Sequence, residues 1–66
     1  MKVGDYVRKN SGLRYEGFIV SVYDDLYGVP HADVQVPGEK GVEPYAGMIH
    51  VYPLSSLEPY KSPLVV

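Results

Sequence analysis

Apolar positions fall in short runs along this chain, not at helical spacing. Glycine or proline interrupts every window before a 3.6-residue period can establish itself. The runs are rich in Val, Ile and Tyr, which suit a pleated surface. Asp5 to Arg8 reads as a first short strand, and Lys9-Asn10-Ser11-Gly12 as a turn of residues that tolerate turn geometry. Tyr15 to Tyr23 is the longest strand. Its Phe18-Ile19-Val20 run predicts burial on both faces, or a strand that bends, and Gly17 would allow the bend. Asp24 to Gly28 is a turn, and Ala32 to Val36 alternates like a half-buried strand. Pro37 to Tyr45, with Gly38, Gly41 and Pro44, reads as a loop. Met48 to Tyr52 is the next strand, ended by Pro53, which has no N–H to give a ladder. Leu54 to Leu57 fits one 3₁₀ turn before a last strand at Glu58 to Tyr60.

Five short strands with glycine-marked bends predict an all-β domain, a small closed five-stranded SH3-like barrel over residues 1–60. Closure would remove sheet edges that otherwise invite pairing. Residues 61–66 are expected to form a flexible C-terminal tail, although Leu64-Val65-Val66 is apolar enough to pack on a neighbour. Neither an internal repeat nor a second domain is visible.

Size changes the picture. A 66-residue chain hides only about 60% of the surface its unfolded form exposes, and such thin cores are often stapled. With no cysteine, disulfides and thiolate metal sites are excluded. His31 and His50 have no metal-ligand spacing. Self-association into a homo-oligomer, a dimer or a tetramer, is therefore expected. The net charge of −2 argues against a general nucleic-acid binder. Lys2, Arg8, Lys9 and Arg14 do crowd the first fourteen residues, but ordinary solvated strand and turn charges explain them. No apolar run approaches the roughly 20 residues of a membrane span, and no charged-then-apolar leader pattern opens the chain. A cytoplasmic location is expected.

Dinucleotide fingerprints, P-loops, HExxH and GxSxG are all absent from the sequence. Asp24-Asp25 resembles a carboxylate pair, but neighbouring residues point apart and the segment reads as a turn. His31 beside Pro30 reads as a solvated loop-edge residue. The seven tyrosines suit an aromatic groove for peptides or stacked bases. They equally suit strands whose phenols reach water, and their spread along the chain favours surface or interface.

Two blocks carry a more specific signal. Gly4-Asp5-Tyr6-Val7-Arg8-Lys9-Asn10-Ser11-Gly12 is followed by Tyr15, Gly17, Ile19-Val20 and Tyr23. Gly47-Met48-Ile49-His50-Val51-Tyr52-Pro53 is followed by Leu57-Glu58. Together they resemble the plasmid-borne, trimethoprim-resistant type II dihydrofolate reductases, whose subunits are SH3-like barrels. The resemblance covers residues 4–23 and 47–58, in the same order. It implies a homotetramer around one central pore that binds NADPH and dihydrofolate. It places the cofactor-binding lysine on Lys9 and the family glutamine on His50. The family isoleucine, where backbone groups meet the nicotinamide and pterin rings, falls on Val51, and the family tyrosine on Tyr52. His50 and Tyr52 are thereby the expected catalytic residues, and Lys9, His50, Val51 and Tyr52 the cofactor-binding set, with no metal. Strand alternation predicts His50 and Tyr52 on one face and Val51 on the other.

The chain also departs from that family. Glutamine is replaced at His50, and a neutral imidazole offers one donor and one acceptor. Tyr15 and Val22 stand where the family has tryptophans, and the stretch between Tyr23 and His50 is longer. The competing expectation is a non-catalytic SH3-like binding module, a small phage or mobile-element protein that grips a peptide or protein partner.

Overall fold

A computed structural model describes residues 1–13, 15–38 and 46–61. The strands are β1 (Tyr6–Lys9), β2 (Glu16–Asp24), β3 (Pro30–Gln35), β4 (Ile49–Pro53) and β5 (Leu57–Pro59), with a 3₁₀ turn at Leu54–Ser56. The protein is all-β, with every strand within a residue or two of where the β-branched and tyrosine-rich runs put it. All five strands join one antiparallel sheet in the order β4-β3-β2-β1-β5. The loop expected between Pro37 and Tyr45 and the tail expected at 61–66 lie mostly outside the described residues.

Among the described residues the expected closure into a barrel is not made. The hydrogen-bonded ladder ends at β4 on one side and β5 on the other. β5 is three residues long, all three face β1, and its Pro59 has no N–H to offer a second neighbour. The sheet therefore curls without sealing.

Register decides what is inside. Val7 faces Gly17, Ile19 faces Val34, Val34 faces His50, Ala32 faces Tyr52 and Lys9 faces Leu57. Side chains of directly paired residues share a face, so these residues line the inner side. Val7, Ile19, Ala32, Val34 and Leu57 form the buried core, with Tyr52 and Leu54 packed against it.

The Phe18-Ile19-Val20 run is resolved by a bulge. The β2–β3 register shifts between Ile19 and Ser21, so Ile19 and Val22 both keep the inner face although three residues apart. Val20 is the extra residue and stays exposed. A bulge of this kind bends the strand and sharpens its twist. Gly17 contributes differently, by close approach. A Cβ there would fall 2.7 Å from the Gln35 carbonyl carbon and 3.1 Å from Val34 Cγ1, and nearer still to the Gln35 carbonyl oxygen.

Candidate functional site

The lysine end of the inner face gathers most of the residues the sequence singles out. His50 and Tyr52 are alternate residues of β4 and so point the same way, onto Val34 and Ala32. Lys9 is the last residue of β1 and lies opposite Leu57. Tyr15 immediately precedes β2, two residues before Gly17, which puts it on the same side. The rings of Tyr15 and His50 stack with centroids 4.7 Å apart and planes 13° apart. His50 and Tyr52 follow at 6.0 Å and 15°. The Lys9 ammonium lies 5.4 Å from the Tyr52 ring centroid, within cation–π range. Burial holds the Tyr52 phenol above the ordinary tyrosine range, so it stays a proton donor at neutral pH.

Three of the four expected site residues, Lys9, His50 and Tyr52, thus meet, although some forty positions separate the lysine from the other two. Val51 does not join them. It pairs with Asp33 on the outer face, where its side chain is 56% exposed. Its backbone belongs to an edge strand that pairs with β3 alone among the described residues. Tyr15 is the member that sequence reasoning left out of the site. The signal was present, since Tyr15, Gly17 and Ile19 alternate onto one face.

Chemically the group offers a cation, a phenol donor, an imidazole and a set of nearly parallel aromatic planes. Such a set suits a ligand that combines a flat ring with an anionic tail. Among the described residues, one copy encloses no ligand-sized cavity, and no cluster of three His, Asp or Glu side chains is placed to hold a metal ion.

The other singled-out residues serve the β2–β3 turn. Asp25 Oδ1 accepts hydrogen bonds from the backbone N–H groups of Tyr27 (2.8 Å) and Val29 (2.9 Å). The Val29 bond first, then the Tyr27 bond, hold its carboxyl below the ordinary aspartate range. Asp24 is exposed, so the two acids do not work as a pair. His31 is more enclosed than a solvated loop-edge residue. Its side chain is 20% exposed, and Nδ1 lies 2.9 Å from the Val29 carbonyl oxygen. A carbonyl only accepts, so Nδ1 carries the proton in that bond. Tyr23 stacks over the His31 ring at 6.3 Å and donates its hydroxyl to Asp33 at 2.9 Å.

The outer face carries a second aromatic group that sequence reasoning did not separate out. Tyr6 meets Phe18 edge-on at 4.9 Å and stacks with Tyr60 at 6.3 Å. The Arg8 guanidinium sits 4.2 Å from the Tyr60 ring centroid and donates to Glu58 at 3.2 Å. Burial, and then the nearby Glu16 carboxylate, push the Tyr6 phenol up to about 12. Tyr6 is itself buried, and of this pair only Tyr60 is exposed and serves as sheet surface, one of the roles the tyrosines' spread suggested.

No protein-family model matches the chain, and no curated protein matches it. Among the described residues, no helix is long and apolar enough to cross a membrane.

Proposed function

We propose that this chain is the subunit of a type II-like dihydrofolate reductase, in which several copies pool their Lys9, His50 and Tyr52 groups around one shared site for NADPH and dihydrofolate. One observation carries the reading. The residues that the family resemblance pairs, Lys9 on one side and His50 and Tyr52 on the other, meet in a single stack capped by an ammonium.

The donor set fits the two ligands. Lys9 suits their phosphate and carboxylate groups, and the aromatic planes suit the nicotinamide and pterin rings. NADPH, when bound, supplies the hydride. The protein's part is to hold and orient, which alone can be worth several kcal/mol, with the proton coming from solvent. Tyr52 donates its hydroxyl, His50 replaces the family glutamine as donor and acceptor, and the edge-strand backbone at Val51 remains open to a ring amide.

A site built from several copies needs an oligomer. The edge strand β4 supports one: Met48, Ile49 and Val51 are all about half exposed, and no Lys, Arg, Asp or Glu occurs from Ala46 to Leu57. An edge without charge is an invitation to pair. Substrates of this kind place the protein in the cytoplasm.

Titration calorimetry with NADPH, together with turnover of dihydrofolate, tests the reading. His50→Gln restores the family residue and is expected to keep or raise activity. Tyr52→Phe is expected to weaken NADPH binding about fivefold, the loss of one hydrogen bond of about 1 kcal/mol. If neither the parent nor His50→Gln binds NADPH at millimolar concentration, the reductase reading fails. The binding-module reading then takes its place. It is favoured by the histidine that replaces the family glutamine at His50 and by the longer stretch between Tyr23 and His50.

A further inference from the structure

Tyr15 is the one member of the aromatic row to which the proposed chemistry gives no task. Its backbone is tied on both sides. The Lys9 N–H donates to the Tyr15 carbonyl at 2.8 Å, and the Tyr15 N–H to the Leu13 carbonyl at 3.1 Å. Tyr15 is thereby joined through its backbone to the residue that carries the ammonium. Its ring lies against the other half of the site, with its centroid 4.7 Å from that of His50 and the two planes 13° from parallel.

His50 needs such a neighbour. Strand alternation fixes the direction in which its side chain leaves β4, the same inner direction that Tyr52 takes. It does not fix the plane of the ring, because the terminal torsion of a histidine is broad. An imidazole carries its donor and its acceptor in that plane, at the ring edge, so turning the plane moves both. Among the described residues Tyr15 is the nearer of the two rings that stack on His50, since Tyr52 stands at 6.0 Å.

We propose that Tyr15 is a positioning residue of this site. Its ring sets the plane of the His50 imidazole nearly parallel to that of Tyr52, and its backbone fixes that plane relative to Lys9. The ammonium and the aromatic planes then form one preset surface, and ordering costs met in the free protein do not weaken binding later. This role rests on the reductase reading, but the geometry behind it is open to test with no ligand present.

Proton NMR of the full ligand-free chain reads the ring geometry, and titration calorimetry with NADPH reads its use. The chain has two histidines, His31 and His50, and His50→Gln assigns their signals. Tyr15→Leu is expected to move the His50 ring protons downfield, out of the shielding of a stacked ring. The ring protons of His31, which stacks with Tyr23, should stay in place. Tyr15→Phe keeps a ring and should keep the parent shifts. NADPH binding should weaken about fivefold in Tyr15→Leu, the contribution of one aromatic pair, and recover in Tyr15→Phe. In the His50→Gln background Tyr15→Leu should cost nothing more, and the double-mutant cycle isolates that coupling. Unmoved His50 protons in Tyr15→Leu overturn the proposal. So does a shift of His31 alongside His50, for Tyr15 would then serve the fold and not the site. A loss of binding that persists with His50→Gln, or a Tyr15→Phe chain that behaves like Tyr15→Leu, overturns it as well. Absence of NADPH binding by the parent is a different result: it sinks the reductase reading, and the ring shifts still decide whether Tyr15 holds His50.

Discussion

Gly17→Ala sets two effects of opposite sign against each other. Gly17 does not have a positive φ, so alanine can adopt its backbone angles. With open space around it, the substitution would stabilise the protein by about 0.4–1 kcal/mol, because alanine leaves the unfolded chain fewer states. The space is not open. The new methyl would stand 2.7 Å from the Gln35 carbonyl carbon and 3.1 Å from Val34 Cγ1. The obstacle at Gln35 is backbone, which cannot swing aside as a side chain does, so the cost belongs at the upper end of the overpacking range, about 3 kcal/mol. The net loss is then about 2 kcal/mol. A chain of 66 residues has a total stability of only about 3–10 kcal/mol, so this is a large share. With a slope near 1 kcal/mol per molar for a domain this small, the urea midpoint should fall by about 2 M. Equilibrium urea unfolding followed by circular dichroism reads it directly. An unchanged or raised midpoint would refute the argument, for it would mean that β3 does not press on Gly17. Val34 lies opposite His50, so proton shifts of the His50 ring should move as well.

The other expectations are smaller. Gly28→Ala meets nothing within 4 Å, so its cost should be only the left-handed backbone penalty, about 1–2 kcal/mol, with the midpoint falling less than for Gly17→Ala. Tyr6 is neutral in the folded protein up to about pH 12 but ionises near pH 10 when unfolded. Its contribution is complete below pH 10 and lost as pH rises toward 12, and Tyr6→Phe should remove the highest step in an ultraviolet titration. The Asp25 carboxyl is held low by the turn amides, so its contribution is present above the unfolded aspartate pKa and lost as pH falls through the lower folded value. Amide shifts of Tyr27 and Val29 should follow that single acid titration, and Asp25→Asn should abolish it.

Strand positions were legible because short runs of three to nine residues, most of them β-branched or tyrosine-rich, between turn residues leave few alternatives. Pro53, with no N–H to continue a ladder, marks the end of β4 on its own. Register was not legible. Nothing in the letters Phe18-Ile19-Val20 says which residue the bulge takes up, because that depends on where Val34 and Asp33 arrive from β3. Closure was misread for a related reason: pattern reports how many strands there are, but not whether the last is long enough to reach a second neighbour. Of the candidate site, alternation gave the facing of His50 and Tyr52 and the opposite facing of Val51. The meeting of Lys9 with Tyr52 came from the family resemblance, since no spacing rule links positions so far apart. Tyr15 was missed because it was weighed as a substituted tryptophan and not as the inward residue before Gly17.

The strand order has a kinetic meaning too. β1 with β2, β2 with β3, and β3 with β4 are successive neighbours along the chain, and each can zip as a local hairpin. β5 is different, because it must find β1 at a separation of about fifty residues, the span of the Arg8–Glu58 contact. Loop-closure entropy and contact order both make that pairing late. Three residues then hold it, one of them a proline. β5 is thus the natural first strand to lift off, and its amides should exchange with solvent hydrogen ahead of those of β2 and β3. Its release would uncover Val7 and leave a free strand that could dock as readily on the β1 of a neighbouring copy, so the same short strand that finishes the fold is the piece two chains could trade.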